Sequence, residues 1–444
     1  MSSLLTLILV LTSLSMFVID REHKLAVMFF YCMCMTCFQP SPVLGTVLYV
    51  PVCFFLSEIP FWVDTIKKMK HEILLYATIG MIFITLILFL KSPHYLSLKG
   101  FMQLFRSELL WKYFVIVYAY ICIKDKESIN PLLKTTMIGL LFLFFFGIIN
   151  YLTKQADFVT AALEGAKVDA AMEGLGELFT LSDRFRVQSM FLNPFDYGYI
   201  CILSSFLLYY GYKKQIISGF SFSIFFCCCL FGIFTCGCRT IVLVFTVSIL
   251  FVFFMNFSSG KRIRVFLAIA LLTLCAYQIK PIQDTFDNTL TVFQKKSDVS
   301  GSSLELRAVQ FVSVLYHIQG NYMFGKGKDY FNIDMGWQDG GIEGLVDEDL
   351  YGTEGIYLKL LLERGVVGLL AFYFYLFAIG FILYRNRRKD PITYSFGLTV
   401  LLAYFLFTHA TGELSSSMPS FLLLGMAIGI LQLDVSNEEK EVQE

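Results

Sequence analysis

From residue 3 to residue 433 the chain is a near-unbroken succession of apolar runs of about 15 to 22 residues, each roughly long enough to cross a ~30 Å hydrocarbon layer as a helix. The runs are continuous and not alternating, so a membrane barrel is excluded. Spans are expected near 3–19, 25–39, 45–62, 74–91, 108–123, 131–152, 195–211, 216–234, 240–257, 265–279, 356–383, 393–410 and 418–433. The expectation is therefore an all-α polytopic membrane protein with about 12 to 13 transmembrane helices and the lipid bilayer as its first partner. The range comes from the first hundred residues, where "LAVMFFYCMCMTCF" is short and Glu58 interrupts the third run. The first run lacks a basic start and a clear small-residue cleavage site, so it is read as a retained span and not a signal peptide. Composition agrees: 57% of residues are hydrophobic, 17% aromatic and 16% charged, and the mean hydropathy is +0.67.

Basic residues cluster in "YKKQ" (Lys213, Lys214), "KRIR" (Lys261, Arg262, Arg264) and "RNRRK" (Arg385, Arg387, Arg388, Lys389). Positive loops stay cytoplasmic, so these three orient the chain. Counting spans outward from them divides it into N-terminal helices at 1–152, an outer loop at 153–194, central helices at 195–279, a large outer loop at 280–355, C-terminal helices at 356–433 and a cytoplasmic tail at 434–444. The turn near Arg239 also falls on the outer face.

The formal net charge is zero and no long basic face exists, so a nucleic-acid partner is not expected. All twelve cysteines fall in apolar runs and none in 280–355, which argues against outer disulfides. Cys236 and Cys238 in "TCGCRT" have no second pair or histidine nearby; they are read as small apolar residues, and no metal or other cofactor is expected.

Two outer segments are too long to be simple connectors. The first holds the alanine-rich, helix-forming "ADFVTAALEGAKVDAAMEGLGELF" and then "DRFRVQSMFLNPFDYGY". The second contains an amphipathic helix. Ser302 and Glu305 make a capping box, Leu304, Ala308, Phe311, Leu315 and Ile318 form an apolar stripe, and Gly320 with Asn321 ends it. Arg307, Gln310 and His317 share a more polar face, expected toward a cavity or water while the stripe lies on the membrane. Gly325 and Gly327 in "MFGKGKDYF" permit a tight turn or a close approach to phosphate. The acidic stretch Asp339 to Asp349 reads as a solvated loop, or as a divalent-cation site at Asp347 and Asp349. No internal repeat relating two transporter-like halves is visible.

Arg184, Arg186, Arg239, Arg307 and Glu354 all fall on the outer side. A single interfacial arginine snorkels to headgroups; several beside two oversized loops point to an anion site. Guanidinium keeps its charge and forks onto phosphate oxygens, each charge-assisted bond contributing roughly 1.5–3 kcal/mol. A departing diphosphate gains negative charge in the transition state, so donors already aimed at it lower the barrier. Glu354 and Glu363 stand nine residues apart, about 180° around a continuous helix and ~13 Å along it, and cannot act as a pair. Glu354 has two readings, a carboxylate favoured by the helix dipole or a general base for a sugar hydroxyl. Glu363 is read as structural glue, paired with Arg364 or another helix.

The order of these motifs resembles the O-antigen polymerase and O-antigen ligase superfamily, the Wzy-like and WaaL-like proteins of the bacterial envelope. The resemblance spans roughly Arg184 to Gly368. It rests on "RFRVQSMFLNPFDYGY", on "CGCRTIVLVF", on "LRAVQFVSVLYHIQGNYMFGKG" and on "EGIYLKLLLERGVVG" after the large outer loop. The resemblance implies a C-type glycosyltransferase-like bundle in the inner membrane. Its cavity would open to the periplasm and act, without metal, on undecaprenyl-diphosphate-linked oligosaccharides, with a chain-length regulator as a partner protein. It assigns diphosphate binding to Arg186, Arg239 and Arg307, and sets Glu354 where ligases carry histidine. That departure favours a polymerase with Glu354 as base and Tyr357 orienting it or stacking on a sugar. His317 and His409 do not match the ligase position. Set against this reading are a ligase, and, from other classes, a transporter or flippase supported only thinly by Glu58 and Glu363, or a non-catalytic scaffold.

Overall fold

The computed structural model describes residues 2–35, 50–62, 73–92, 97–123, 125–155, 186–256, 304–330, 334–335, 347, 350, 355–412 and 417–441, and among them every regular element is helical. In chain order these are α1 (Ser2–Ser15), α2 (Arg21–Cys34), α3 (Val50–Glu58), α4 (Ile73–Phe89), α5 (Leu98–Leu104), a π-helical stretch Phe105–Phe114 that runs into α6 (Val115–Cys122), and α7 (Ile129–Thr153). Then follow α8 (Pro194–Lys213), α9 (Gly219–Thr235), α10 (Arg239–Asn256), α11 (Leu304–His317), α12 (Ile356–Arg385), α13 (Pro391–Thr411) and α14 (Ser417–Glu441). Helices α7, α12 and α13 are long and apolar enough to cross a membrane, and Val50–Phe61, Ile73–Phe89, Gly219–Thr235, Arg239–Met255 and Ser417–Leu433 are shorter apolar helices. The all-α polytopic membrane architecture expected from the sequence is what the chain adopts. The expected span at 265–279 and the alanine-rich part of the first outer loop lie outside the described residues.

Several helix starts are written locally. Asn193 accepts the Asp196 N–H at 2.8 Å with Pro194 following, and Asp390 accepts the Thr393 N–H at 3.2 Å with Pro391 following. An oxygen-bearing cap satisfies an orphan donor, and proline at the first helical position loses no hydrogen bond. Helices α8 and α13 pack antiparallel. At one end Lys214 pairs with Asp390 and Tyr210 bonds Thr393 at 3.0 Å. At the other, the Tyr199 and Phe407 rings stack with centroids 4.2 Å apart.

Residues 417–431 of α14 are buried on every side, which makes it the axial helix of the bundle. It lies against α6 through Gly425 and Gly429, one turn apart. A Cβ on Gly425 would sit 2.3 Å from the Ile116 carbonyl oxygen, and one on Gly429 3.0 Å from that of Tyr120. Small residues at this spacing let two backbones touch, which gives apolar helices dispersion contact that larger side chains would prevent.

Glu58, the charge that interrupts the third apolar run, ends α3 and is held by Lys24 at 2.8 Å and Arg21 at 3.1 Å. Helix α11 forms as expected, and its apolar stripe divides between the surface and α12. Gln310, Ser313, Val314 and Ile318 are buried while Ala308 and Phe311 are exposed. Val314 and Ile318 pack on Leu358, Leu361 and Leu362 of α12. The stripe is thus outward at Ala308 and Phe311 and packed on α12 at Ile318, while on the polar face Gln310 is buried and Arg307 and His317 are half-buried.

Helix α12 is one apolar run but two helical pieces. Gly365 sits at φ 63, ψ −166 in its middle, and the turn after α11 fills the break. Val366 and Val367 donate to the Tyr322 and Met323 carbonyls at 2.9 and 3.0 Å, while the Lys326 and Gly327 amides donate to Leu362 and Glu363, each at 2.9 Å. These four backbone groups on either side of the break are thus satisfied by a segment some forty residues earlier.

Candidate functional site

The first cluster is built on the tight turn between α9 and α10. Residues 186–188 run into this turn, with the Val187 N–H donating to the Thr235 carbonyl at 3.1 Å. Gly237 turns the chain at φ +65, and the Arg186 stem lies over it: a Cβ there would meet Arg186 Cγ at 3.2 Å. Arg239 is the first residue of α10, and both arginines lie within electrostatic reach of Cys238. Two cations thus stand beside one turn, next to the N-terminus of α10, a place suited to an anion. Cys236 and Cys238 are buried and turn their thiols to the Ile233 and Cys236 carbonyls at 3.2 and 3.3 Å. Among the described residues no three His, Cys, Asp or Glu side chains gather at metal-binding spacing.

The second cluster joins α11, α12 and α13. Arg307 Nη2 donates to the Ala410 carbonyl at 2.7 Å, neutralising the last turn of α13, where carbonyls lack helical partners. Gly355, at φ +97, leads into α12, and a Cβ there would be 2.9 Å from the His409 carbonyl oxygen. Tyr357 stacks on His409, ring centroids 6.1 Å apart at 15°. His409 Nδ1 stands 2.7 Å from the Phe405 carbonyl and Nε2 2.7 Å from the Tyr373 hydroxyl. A carbonyl only accepts, so Nδ1 carries the hydrogen, and the neutral ring accepts the Tyr373 O–H at Nε2. Glu354 immediately precedes this cluster; it and Arg184 lie outside the described residues.

The two clusters share one end of the bundle. Tyr199, in the second turn of α8, stacks on Phe407 near the end of α13 and bonds Ser420 at the start of α14 at 2.8 Å. Arg186, Arg239, Arg307 and Tyr357 therefore lie at one end of the bundle, although no two belong to the same helix. His409 was passed over in the sequence because it does not occupy the ligase position. Its signal was its place in the last turn of an apolar span.

Gly325 and Gly327 take a different part. A Cβ on Gly325 would be 2.5 Å from the Arg364 amide nitrogen. The Gly325 and Gly327 amides, which a phosphate grip would need, donate to Asn321 at 2.8 Å and Glu363 at 2.9 Å. This glycine pair plugs the break in α12. Beneath it, Glu108 of the π-helical stretch pairs with Arg364 and Lys112, each at 2.7 Å, and with Lys328 at 3.2 Å, and Lys328 lies 3.8 Å from Glu363. Glu363 is buried in this network, as structural glue would be. Asp347 accepts from Ser313 and bonds His317 Nε2 at 2.9 Å, which ties this one residue to α11. Asp349 lies outside the described residues.

Residues 224–373 match the family model described as O-antigen ligase, Wzy_C. The matched segment runs from α9 into α12 and includes Arg239, Arg307, Glu354 and Tyr357, while Arg186 precedes it. The match supports the Wzy-like and WaaL-like superfamily and a membrane enzyme that handles lipid-linked glycans. No curated protein matches the chain.

Proposed function

We propose that the chain is an inverting glycan polymerase of the periplasmic face of the bacterial inner membrane, joining undecaprenyl-diphosphate-linked repeat units. The anomeric carbon–oxygen bond to the donor's diphosphate breaks as a hydroxyl of the incoming repeat attacks from the opposite side. Glu354 takes the hydroxyl proton, and the lipid diphosphate leaves with the bonding electrons. Arg186, Arg239 and Arg307 steady that leaving group, with Arg184 adding charge at the rim, and Tyr357 stacks on a sugar or orients Glu354. The reaction needs no metal on this reading. The observation that carries it is the meeting of Arg186 and Arg239 at one turn, at the same end of the bundle as Arg307 and the start of α12.

The test is turnover by purified protein given only lipid-diphosphate-linked repeat, with and without chelator. A polymerase builds a ladder without any other acceptor, in either condition, and Glu354→Gln stays inserted and folded but does not elongate. Normal chain lengths from Glu354→Gln would refute the base assignment.

A ligase, transferring finished glycan to lipid A-core or protein, is the second reading, favoured by the description of the matching family and by the His409 imidazole beside Tyr357. Both nitrogens of that ring are engaged, which weakens it as the base. A transporter gains little from Glu58 or Glu363, since each lies in a buried ionic cluster.

A further inference from the structure

The break at Gly365 leaves the outer piece of α12, residues 356–364, without continuous helical bonding to the rest of its span. Its direction is set by the turn at 321–327, whose amides and carbonyls bond both sides of the break. That turn is held by elements outside the family-matched segment. Ser92 Oγ donates to the Lys328 carbonyl at 2.9 Å and Lys91 Nζ reaches Asn321 Oδ1 at 3.3 Å. Glu108 draws both parts together, taking Lys328 from the turn at 3.2 Å and Arg364 from the helix at 2.7 Å. It also meets Lys112 one turn along the same π-helical stretch at 2.7 Å. All four side chains are largely buried, so the attraction is little screened and loss of the carboxylate strands charge in an apolar setting. π-Helical turns cost stability and persist mostly where function requires them.

We propose that Glu108 and Arg364 are positioning residues for the acceptor side of the site. Their buried ion pair locks the outer piece of α12, and with it Tyr357, against His409. This rests on the polymerase reading. Two of the three donor arginines, Arg186 and Arg239, belong to the α8–α10 region and only Arg307, on α11, packs beside this piece, so the clamp governs turnover more than grip on the lipid diphosphate. A displacement of about an ångström in a catalytic group lowers turnover on the order of a hundredfold.

The experiment measures ladder formation and cross-linking on intact protein in liposomes. Glu108→Gln should lower kcat by about tenfold or more while KM for the lipid-linked donor stays within about twofold, and Glu108→Asp should restore part of kcat. A general folding defect would move both constants and would not be rescued by the shorter acid. Separately, cysteines introduced by Tyr357→Cys and His409→Cys should cross-link in the parent protein and lose yield once Glu108→Gln is added. Unchanged kcat and cross-linking in Glu108→Gln overturn the proposal, as does loss of folded protein in both the Gln and Asp variants. If the parent protein makes no ladder at all, the polymerase reading fails, and the cross-linking comparison still decides the clamp.

Discussion

Gly325 and Gly365 meet backbone to backbone. A Cβ on Gly325 would stand 2.6 Å from the Gly365 amide nitrogen, and a Cβ on Gly365 would stand 2.5 Å from the Gly325 amide nitrogen. The neighbouring atoms are main chain and cannot rotate away, and both residues have positive φ. Gly365→Ala should therefore destabilise the protein by at least the ~1–3 kcal/mol of a non-glycine residue in such a conformation. Thermal unfolding in detergent reads the effect; an unaltered melting temperature would show that the break can relax.

Removing a cation from the rim should act on chemistry before stability. Arg239→Ala and Arg186→Ala are expected to fold and insert, yet to lose turnover by about a hundredfold or more, the usual cost of deleting one preorganised donor to a developing charge. Lysine at either position keeps the charge but not the fork, and should recover only part of the rate. Ladder formation near the parent rate in Arg239→Ala would remove it from the site.

His409 separates the two glycan-transfer readings. His409→Phe preserves the stack on Tyr357 but abandons the bonds to Tyr373 and Phe405, so a loss of roughly 1–3 kcal/mol in stability is expected. Elongation should persist at a reduced rate if Glu354 is the base. Complete loss of transfer in well-folded His409→Phe, with Glu354→Gln still active, would move the base to the imidazole.

The packing of α14 on α6 predicts a contrast between two glycines. Gly425→Ala puts a methyl 2.3 Å from the Ile116 carbonyl and should cost about 1–3 kcal/mol through overpacking. Gly80→Ala in α4 meets nothing within 4 Å and should be neutral or stabilise by roughly 0.5–1 kcal/mol, because alanine is the better helix former. Measured side by side in detergent, equal melting temperatures for the two variants would contradict the close α6–α14 approach.

Much of the scaffold could be read along the chain, since hydropathy, caps and basic loops are local signals. The span expected at 131–152 is Ile129–Thr153, and that at 393–410 is Pro391–Thr411, started by the cap and proline that the sequence displays. The span expected at 108–123 begins earlier, at Leu98, and includes π-helical turns that hydropathy does not register. In α11 the period was right, but burial follows neither face cleanly: Gln310 is buried on the polar face, and Ile318 of the stripe packs on α12. Amphipathic periodicity locates two faces but cannot say which one will find hydrogen-bond partners in the rest of the protein.

By itself the sequence determined that this is a helical membrane protein and where many of its helices begin and end. Those follow from the cost of exposing charge or unpaired backbone to hydrocarbon, residue by residue. Tertiary structure alone decided that α12 breaks at Gly365, that Glu108 holds both sides of the break, and that Arg307 and His409 join the start of α12. Each depends on atoms far apart in the chain coming within bonding distance, as Arg307 does with Ala410 across 103 positions, and no local pattern encodes such a meeting.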